Sequence, residues 1–273
     1  MSGRRYRLVI SDVDGTLVNH AKQLTSGVKG AVQRLEAAGI PFTLVSARCP
    51  MGVQPLVDAL GVKGPVAAYN GGTIFTAGGN VIEHHLVPTE VTRGVLAMAA
   101  EEPVSTWVFA EGLWHADTTE NSHVPRERIS ANQEPVIVAD FAQFAERAEK
   151  LTFVSDDAPM LARLAERAQA SFGDRATIAQ SQTYFLDVTA TVANKGDAIA
   201  ALAKTHGVPL EDVAVFGDQF NDVPMFDRAG FSVAMGQAPE GVKARADAIS
   251  TSNEEDGVAV AIDRYILSAM EPA

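Results

Sequence analysis

The chain alternates short runs in which every position is apolar with longer stretches in which apolar residues return every three or four positions. Runs of the first kind read as strands covered on both faces, and stretches of the second as helices with one buried face. Residues 8–10 ("LVI") form the first strand. Thr25 then caps a helix that places Val28, Val32 and Leu35 on one side, and Gly39 ends it. Residues 42–45 predict a second strand, Val53, Leu56 and Leu60 a second helix, and "GPVAAYNGG" a strand ending at Asn70-Gly71-Gly72. "TIFTAGGNVIEHH" reads as a hairpin turning at Gly78-Gly79. Near the far end Asn194 caps a helix through Ile199, Leu202 and Ala203. Strands follow at 213–216 and 231–235 with a helix to Gly230 between them, and 258–266 forms a last helix. Such βαβα alternation predicts the α/β class, with a doubly wound, Rossmann-like parallel sheet.

The middle of the chain has a different rhythm. It predicts a helix at 89–102, then two aromatic strands, "STWVFA" and "LWHAD", around Glu111-Gly112, then a polar stretch. A helix at 140–150, a strand at 151–155, a helix at 158–171 and two closing strands complete it. This is enough α and β structure for a small core of its own. The expected organisation is therefore a core of residues 1–83 plus 189–273, interrupted by an inserted α/β cap at 84–188.

Charge and composition narrow the partners. The 273 residues carry a net charge of −12, which opposes a bare phosphate backbone because nucleic-acid affinity comes from clustered Lys and Arg. A small anionic ligand stays open where cations gather locally. Cys49 is the sole cysteine, so no intrachain disulfide forms, as suits a reducing compartment. Arg4, Arg5 and Arg7 precede an apolar run that Asp12 breaks, too short for a signal peptide, and no run reaches membrane-spanning length. The expectation is a soluble, cytoplasmic protein, monomer or homodimer, with no nucleic-acid or membrane partner.

The chemistry gathers where apolar strands stop. Asp12 and Asp14 follow the first strand, in the place where open α/β sheets bind ligands. They fit a divalent cation, an acid/base pair, or simply a turn. Ser46 ends the second strand, and Asp218, Asn221 and Asp222 follow the strand at 213–216. Separately, Ser46 and Asp222 read as helix caps and Asp218 as a solvated acid; three strands ending alike point to one polar site. Lys195 stands beside the cap Asn194, where the helix dipole disfavours a cation. A bound anion would offset that, and so would Asp197. With Ser46 and the amides after Asp12, Lys195 would complete a phosphate cradle.

"DVDGTL", the strand ending in Ser46, Lys195 and "GDQFND" together resemble, in order and type, the four motifs of the haloacid dehalogenase superfamily. More narrowly, with "YNGG", "NKGDAI", "VAMGQA" and "SNEEDGVA", the chain is similar to the Cof-like subfamily IIB phosphatases, whose cap sits between the second and third motifs. The resemblance implies a Mg²⁺-dependent phosphatase acting on a small phosphorylated metabolite, most plausibly a sugar phosphate. It implies Asp12 as nucleophile, Asp14 as proton donor and then base, and Lys195 and Ser46 on the phosphoryl oxygens. Mg²⁺ would be held by Asp12, the Asp14 carbonyl and Asp218, with Asn221 and Asp222 ordering waters or ligands. Two positions depart from the pattern: Ala47 replaces a glycine, implying a backbone without positive φ there, and Gln237 replaces an asparagine. Arg48 would touch substrate or tie core to cap, and Cys49 would be an inert small residue. In the cap, Trp114, His115, His123, Arg126 and Arg128 are candidates for reading the leaving group, against solvated or core roles for each. A phosphomutase and a non-catalytic phosphometabolite-binding protein are the alternatives; a dehalogenase would leave Asp14 and the metal acids idle.

Overall fold

A computed structural model describes residues 5–268; Arg4, noted above, lies outside them. The chain opens with β1 (Leu8–Ser11), α1 (Ser26–Ala37), β2 (Phe42–Leu44), α2 (Pro50–Leu60), β3 (Val66–Ala68), β4 (Thr73–Phe75) and β5 (Val81–His84). The middle contributes α3 (Thr89–Ala99), β6 (Ser105–Ala110), β7 (Leu113–Ala116), α4 (Val124–Ala131), β8 (Val136–Ile137), β9 (Ala148–Val154), α5 (Ala158–Phe172), β10 (Ala176–Gln182) and β11 (Phe185–Ala190). Then come α6 (Lys195–His206), β12 (Val213–Gly217), α7 (Val223–Phe226), β13 (Phe231–Ala234), α8 (Glu240–Lys243), β14 (Ala248–Ile249) and α9 (Gly257–Ala261).

The two ends of the chain build one five-stranded sheet, ordered β14-β13-β12-β1-β2 and parallel throughout. Within it β1 lies between β12 and β2, with Leu8, Val9 and Ile10 wholly buried. Both faces are covered, which is why these strands are mainly apolar. The predicted cap of α1 is present: Thr25 Oγ1 accepts the Val28 N–H at 3.2 Å, and Val28, Ala31, Val32 and Leu35 face inward. One expectation changes here. The "GPVAAYNGG" strand, β3, is not a full member of the parallel sheet. It pairs antiparallel with β4 in a separate β3-β4-β5 sheet and touches the main sheet by a single parallel bridge, Val45 to Ala67.

The middle of the chain forms a six-stranded sheet, β10-β11-β9-β6-β7-β8, antiparallel except for the β7–β8 pair. Helices α3 and α5 pack on it around Val91, Val95, Leu161, Leu164 and Phe153, a core of its own as expected. Trp107, Phe109 and Trp114 instead join the apolar cluster that continues into the α/β core. The predicted helix at 140–150 is not there. A single turn covers Ala142–Phe144, and the chain then enters β9. Ala, Glu and Lys favour a helix only weakly, and pairing with both β6 and β11 overrides them. The polar stretch conceals α4, whose buried residues are only Val124 and Ala131, too few to show a helical period. Among the described residues no helix is long and apolar enough to cross a membrane.

Candidate active site

The ladder between β1 and β12 runs one residue past β1, where Asp12 N–H donates to the Phe216 carbonyl at 2.9 Å. That bond sets the Asp12 carboxylate at the carboxyl end of β1. The chain then turns at Gly15, with φ of +86°. A Cβ there would stand 2.4 Å from Asp218 Oδ2, so only glycine lets the first loop meet the loop after β12. Thr16 Oγ1 completes the junction, donating to Asp218 Oδ1 at 3.1 Å.

Lys195 opens α6, behind the cap Asn194 whose Oδ1 accepts the Asp197 N–H at 2.9 Å. It is 1% exposed. Its ammonium donates to Asp12 Oδ1 at 2.5 Å and also to Asp222 Oδ1. The anions that offset its unfavourable place on the helix dipole are thus the protein's own. The other oxygen of Asp222 accepts the N–H groups of Asp218 (2.8 Å) and Gln219 (2.9 Å). Asp222 therefore organises the loop and the lysine at once.

Asp12, Asp218 and Asp222 are all buried and bring ligand oxygens within 4.8 Å of one another. Burial pushes Asp12 up to about 8 despite Lys195, with Asp222 and Asp218 adding repulsion. Burial and Asp222 likewise raise Asp218 to about 6. Burial alone would lower Lys195, but Asp12 and Asp222 hold it above its usual value. Three carboxylates around one ammonium leave two negative charges uncompensated. An all-oxygen donor set with that deficit fits a hard divalent cation such as Mg²⁺, and a soft metal poorly.

Asp14 does not share this arrangement. Arg48 clasps it with two hydrogen bonds, Nε to Oδ2 at 2.7 Å and Nη2 to Oδ1 at 2.8 Å, and Lys22 adds an ion pair. Burial would raise its pKa, but Arg48 and Lys22 hold the carboxyl well below the usual range. The two acids of "DVDG" line one cavity, yet each has its own cations and no proton bridges them. Ser46 is buried and does not line the cavity; its Oγ accepts the Arg48 N–H at 3.1 Å. Asn221 does line it, with Nδ2 3.4 Å from Asn70 Oδ1. Ala47 has no positive φ. Gln237 uses its length to bridge loops, donating to the Gly15 carbonyl at 2.6 Å and accepting from Asn253 N–H at 3.1 Å.

The inserted segment closes the cavity with Arg126, Glu127, Ser130, Lys150, Gln182, Tyr184, Phe185 and Asp187. Of the five cap candidates, only Arg126 is among them. Trp114 is a core residue, edge-on to Trp107 at 5.0 Å. His115 is buried against Phe144, His123 stacks on Tyr184 and pairs with Asp156, and Arg128 pairs with Glu134. Lys22, Glu127, Lys150 and Asp187 are site residues that sequence reasoning missed. Asp187 carried a signal, as an acid between the apolar Leu186 and Val188 of one strand. Lys150 was hidden by the misplaced helix.

Cap and core meet closely at Gly52, where a Cβ would come within 1.9 Å of the Ser130 carbonyl oxygen. Arg48 Nη1 donates to the Gly52 carbonyl at 3.2 Å, so the contact adjoins the Asp14 clasp. Tyr69 Oη and His84 both reach Glu149 of β9, at 3.0 and 2.8 Å. Cys49 lies in the same seam, its thiol pushed up to about 11 by burial, which suits an inert role. Gly52→Ala is expected to lift the cap, because backbone atoms face the new methyl. A misplacement near 1 Å lowers rate by about 10²-fold. Steady-state kinetics on p-nitrophenyl phosphate, with small-angle scattering for cap opening, checks this; full activity in the variant would refute the closed seam.

The family model for haloacid dehalogenase-like hydrolases matches residues 9–262. The chain belongs to that family. A solved haloacid dehalogenase-like hydrolase from Bacteroides thetaiotaomicron superposes with a TM-score of 0.87 at 29% identity, over 95% of this chain and 99% of the other. The subclass IIB sugar phosphatase BT4131 gives 0.81 at 25% identity, over 95% and 98%. The pyridoxal phosphate phosphatase YbhA of Escherichia coli is 26% identical over 271 residues, 96% of this chain and 99% of its own. The haloacid dehalogenase-like architecture and the enzyme class, a phosphatase of this family, follow.

Proposed function

We propose that this family member hydrolyses a small phosphate monoester, a sugar phosphate first among them, with Mg²⁺ bound and residues 84–188 acting as the cap. The single observation that carries the reading is Asp12 at the carboxyl end of β1. It is held by Lys195, beside two further buried acids and opposite the cations Lys22 and Arg48. Asp12 Oδ attacks phosphorus, the bond from phosphorus to the ester oxygen breaks, and an aspartyl-phosphate remains. The leaving oxygen takes a proton from Asp14. Water then attacks phosphorus, giving its proton to Asp14, and the Asp12–phosphorus bond breaks to release inorganic phosphate.

The clasp on Asp14 bears directly on this cycle. Paired with Arg48 and Lys22, Asp14 is a carboxylate, the state needed for the water step. To act first as an acid it must exchange those partners. The phosphoryl oxygens of the substrate are competing acceptors for both cations, so substrate entry frees Asp14 to carry a proton. Ser46, buried outside the cavity, accepts the Arg48 N–H and so supports the clasp, while Asn221 borders the cavity itself. Mg²⁺ on Asp12, Asp218 and the Asp14 carbonyl, with Asp222 supporting it, would offset the charge that spreads in the transition state.

The test is a phosphate-release screen over sugar phosphates, nucleotides, pyridoxal phosphate and flavin mononucleotide. Activity is expected to vanish with a chelator and return with Mg²⁺. Equal, feeble rates on every ester would sink the substrate assignment, and undiminished rates without divalent cations would sink the metal. Recovery of an isomeric sugar phosphate in place of inorganic phosphate would identify a mutase.

A further inference from the structure

Glu127 is the cavity residue that the proposed hydrolysis leaves without a task. It lies in the first turn of α4 and lines the cavity from the cap side. Its carboxyl interacts with Lys150 and Asp187 in the cap and with Asp14 and Arg48 in the core. Among the described residues neither of its carboxyl oxygens accepts a hydrogen bond or forms an ion pair. Burial raises it to about 7, with Asp187 adding to the shift against Lys150. A carboxyl with unused lone pairs, lining the cavity, is open to a donor from outside the protein.

The charges around it define that donor. Lys22, Arg48 and Lys195 stand where the phosphoryl group would bind. Across the cavity, Lys150 is already committed to Asp187 at 3.1 Å, and Asp187 also accepts the Thr152 hydroxyl at 2.7 Å. The cap wall thus holds the acids Glu127 and Asp187, the engaged ammonium of Lys150, and the guanidinium of Arg126. Hydroxyl groups suit it: adjacent hydroxyls donate to a carboxylate pairwise, and the rings of Tyr184 and Phe185 border the cavity to cover the C–H face of a sugar. Lys22, Arg48 and Lys195 serve the phosphoryl end, and the unengaged Glu127 carboxyl faces the rest of the substrate.

We propose that Glu127, backed by the Lys150–Asp187 pair, is a specificity residue that selects a polyhydroxylated leaving group by accepting its hydroxyls. The proposal rests on the phosphatase reading above and deepens it.

The experiment measures kcat/KM for phosphate release by the full chain with Mg²⁺. Its substrates are glucose 6-phosphate, fructose 6-phosphate, pyridoxal 5′-phosphate and p-nitrophenyl phosphate. In Glu127→Gln the ratio of the best hexose monophosphate to p-nitrophenyl phosphate falls about tenfold or more, as for loss of one charged hydrogen bond, and Glu127→Asp recovers part of it. A ratio unchanged within about twofold overturns the role of Glu127. A wild type that prefers pyridoxal 5′-phosphate to both hexose monophosphates overturns the polyol assignment without any variant. No phosphate release from any ester in the wild type removes the phosphatase reading itself, a separate result from either.

Discussion

Asp12→Asn is expected to abolish phosphate release, by about 10⁴-fold or more, the scale on which loss of a covalent nucleophile is felt. An amide oxygen is a poor nucleophile toward phosphorus, and neither Asp222 nor Asp14 is free to replace it. Asp222 spends both oxygens on Lys195 and the loop N–H groups, and Asp14 is clasped by Arg48. The same substitution leaves the fold intact. Asparagine Oδ1 can still accept from Lys195, which bonds to Asp12 Oδ1 in the wild type at 2.5 Å. It also removes one charge from a cluster with more anions than cations. The metal-free variant is therefore expected to melt no lower than the wild type, while the stabilisation from added Mg²⁺ shrinks because one ligand is gone. Single-turnover phosphate release and melting curves with and without Mg²⁺ read both effects. Turnover within about tenfold of wild type would refute a nucleophilic Asp12.

The acids and the lysine were legible because each follows a feature with strong local grammar. Asp12 and Asp218 come after apolar strands, and Lys195 after a capping asparagine. A parallel sheet then does what sequence distance hides, closing the 183 residues between Asp12 and Lys195. Pairing was harder to read. Nothing local ties Asp14 to Arg48, 34 residues on, and the spacing of "DVD" suggested instead that its acids work on each other. The phosphate cradle was read partly from Lys195 opposing a helix dipole, a conflict that Asp12 and Asp222 already settle. The cap wall was the least legible. Its residues sit on strands whose partners are far away, and β9 carries helix-favouring Ala, Glu and Lys into the middle of a sheet. Tertiary pairing overrides such weak preferences, and with β9 misread Lys150 lost its neighbours.

Lys195→Met is expected to cost both activity and stability, and the stability loss carries the sharper information. Methionine keeps the length of the side chain and removes the ammonium that joins Asp12 to Asp222. Deleting one partner of a buried ion pair costs about 3–5 kcal/mol, or about 10 °C in Tm for a chain of this size. Here the loss should depend on what else offsets the acids. With Mg²⁺ present part of the charge is compensated and the deficit narrows; in chelator it is fullest. Its pH dependence has a definite sign. Asp12 and Asp218 already have folded pKa values raised from 3.8 to about 8 and about 6, and loss of the lysine raises them further. The folded state then binds more protons than the unfolded one, so stability falls as pH rises through that window. The variant should lie closest to wild type near pH 5 and fall furthest behind near pH 8. Melting curves across that range, with chelator and with Mg²⁺, measure it. A deficit that ignores both pH and metal would mean that Lys195 acts only as packing, and that the three acids do not form one electrostatic unit.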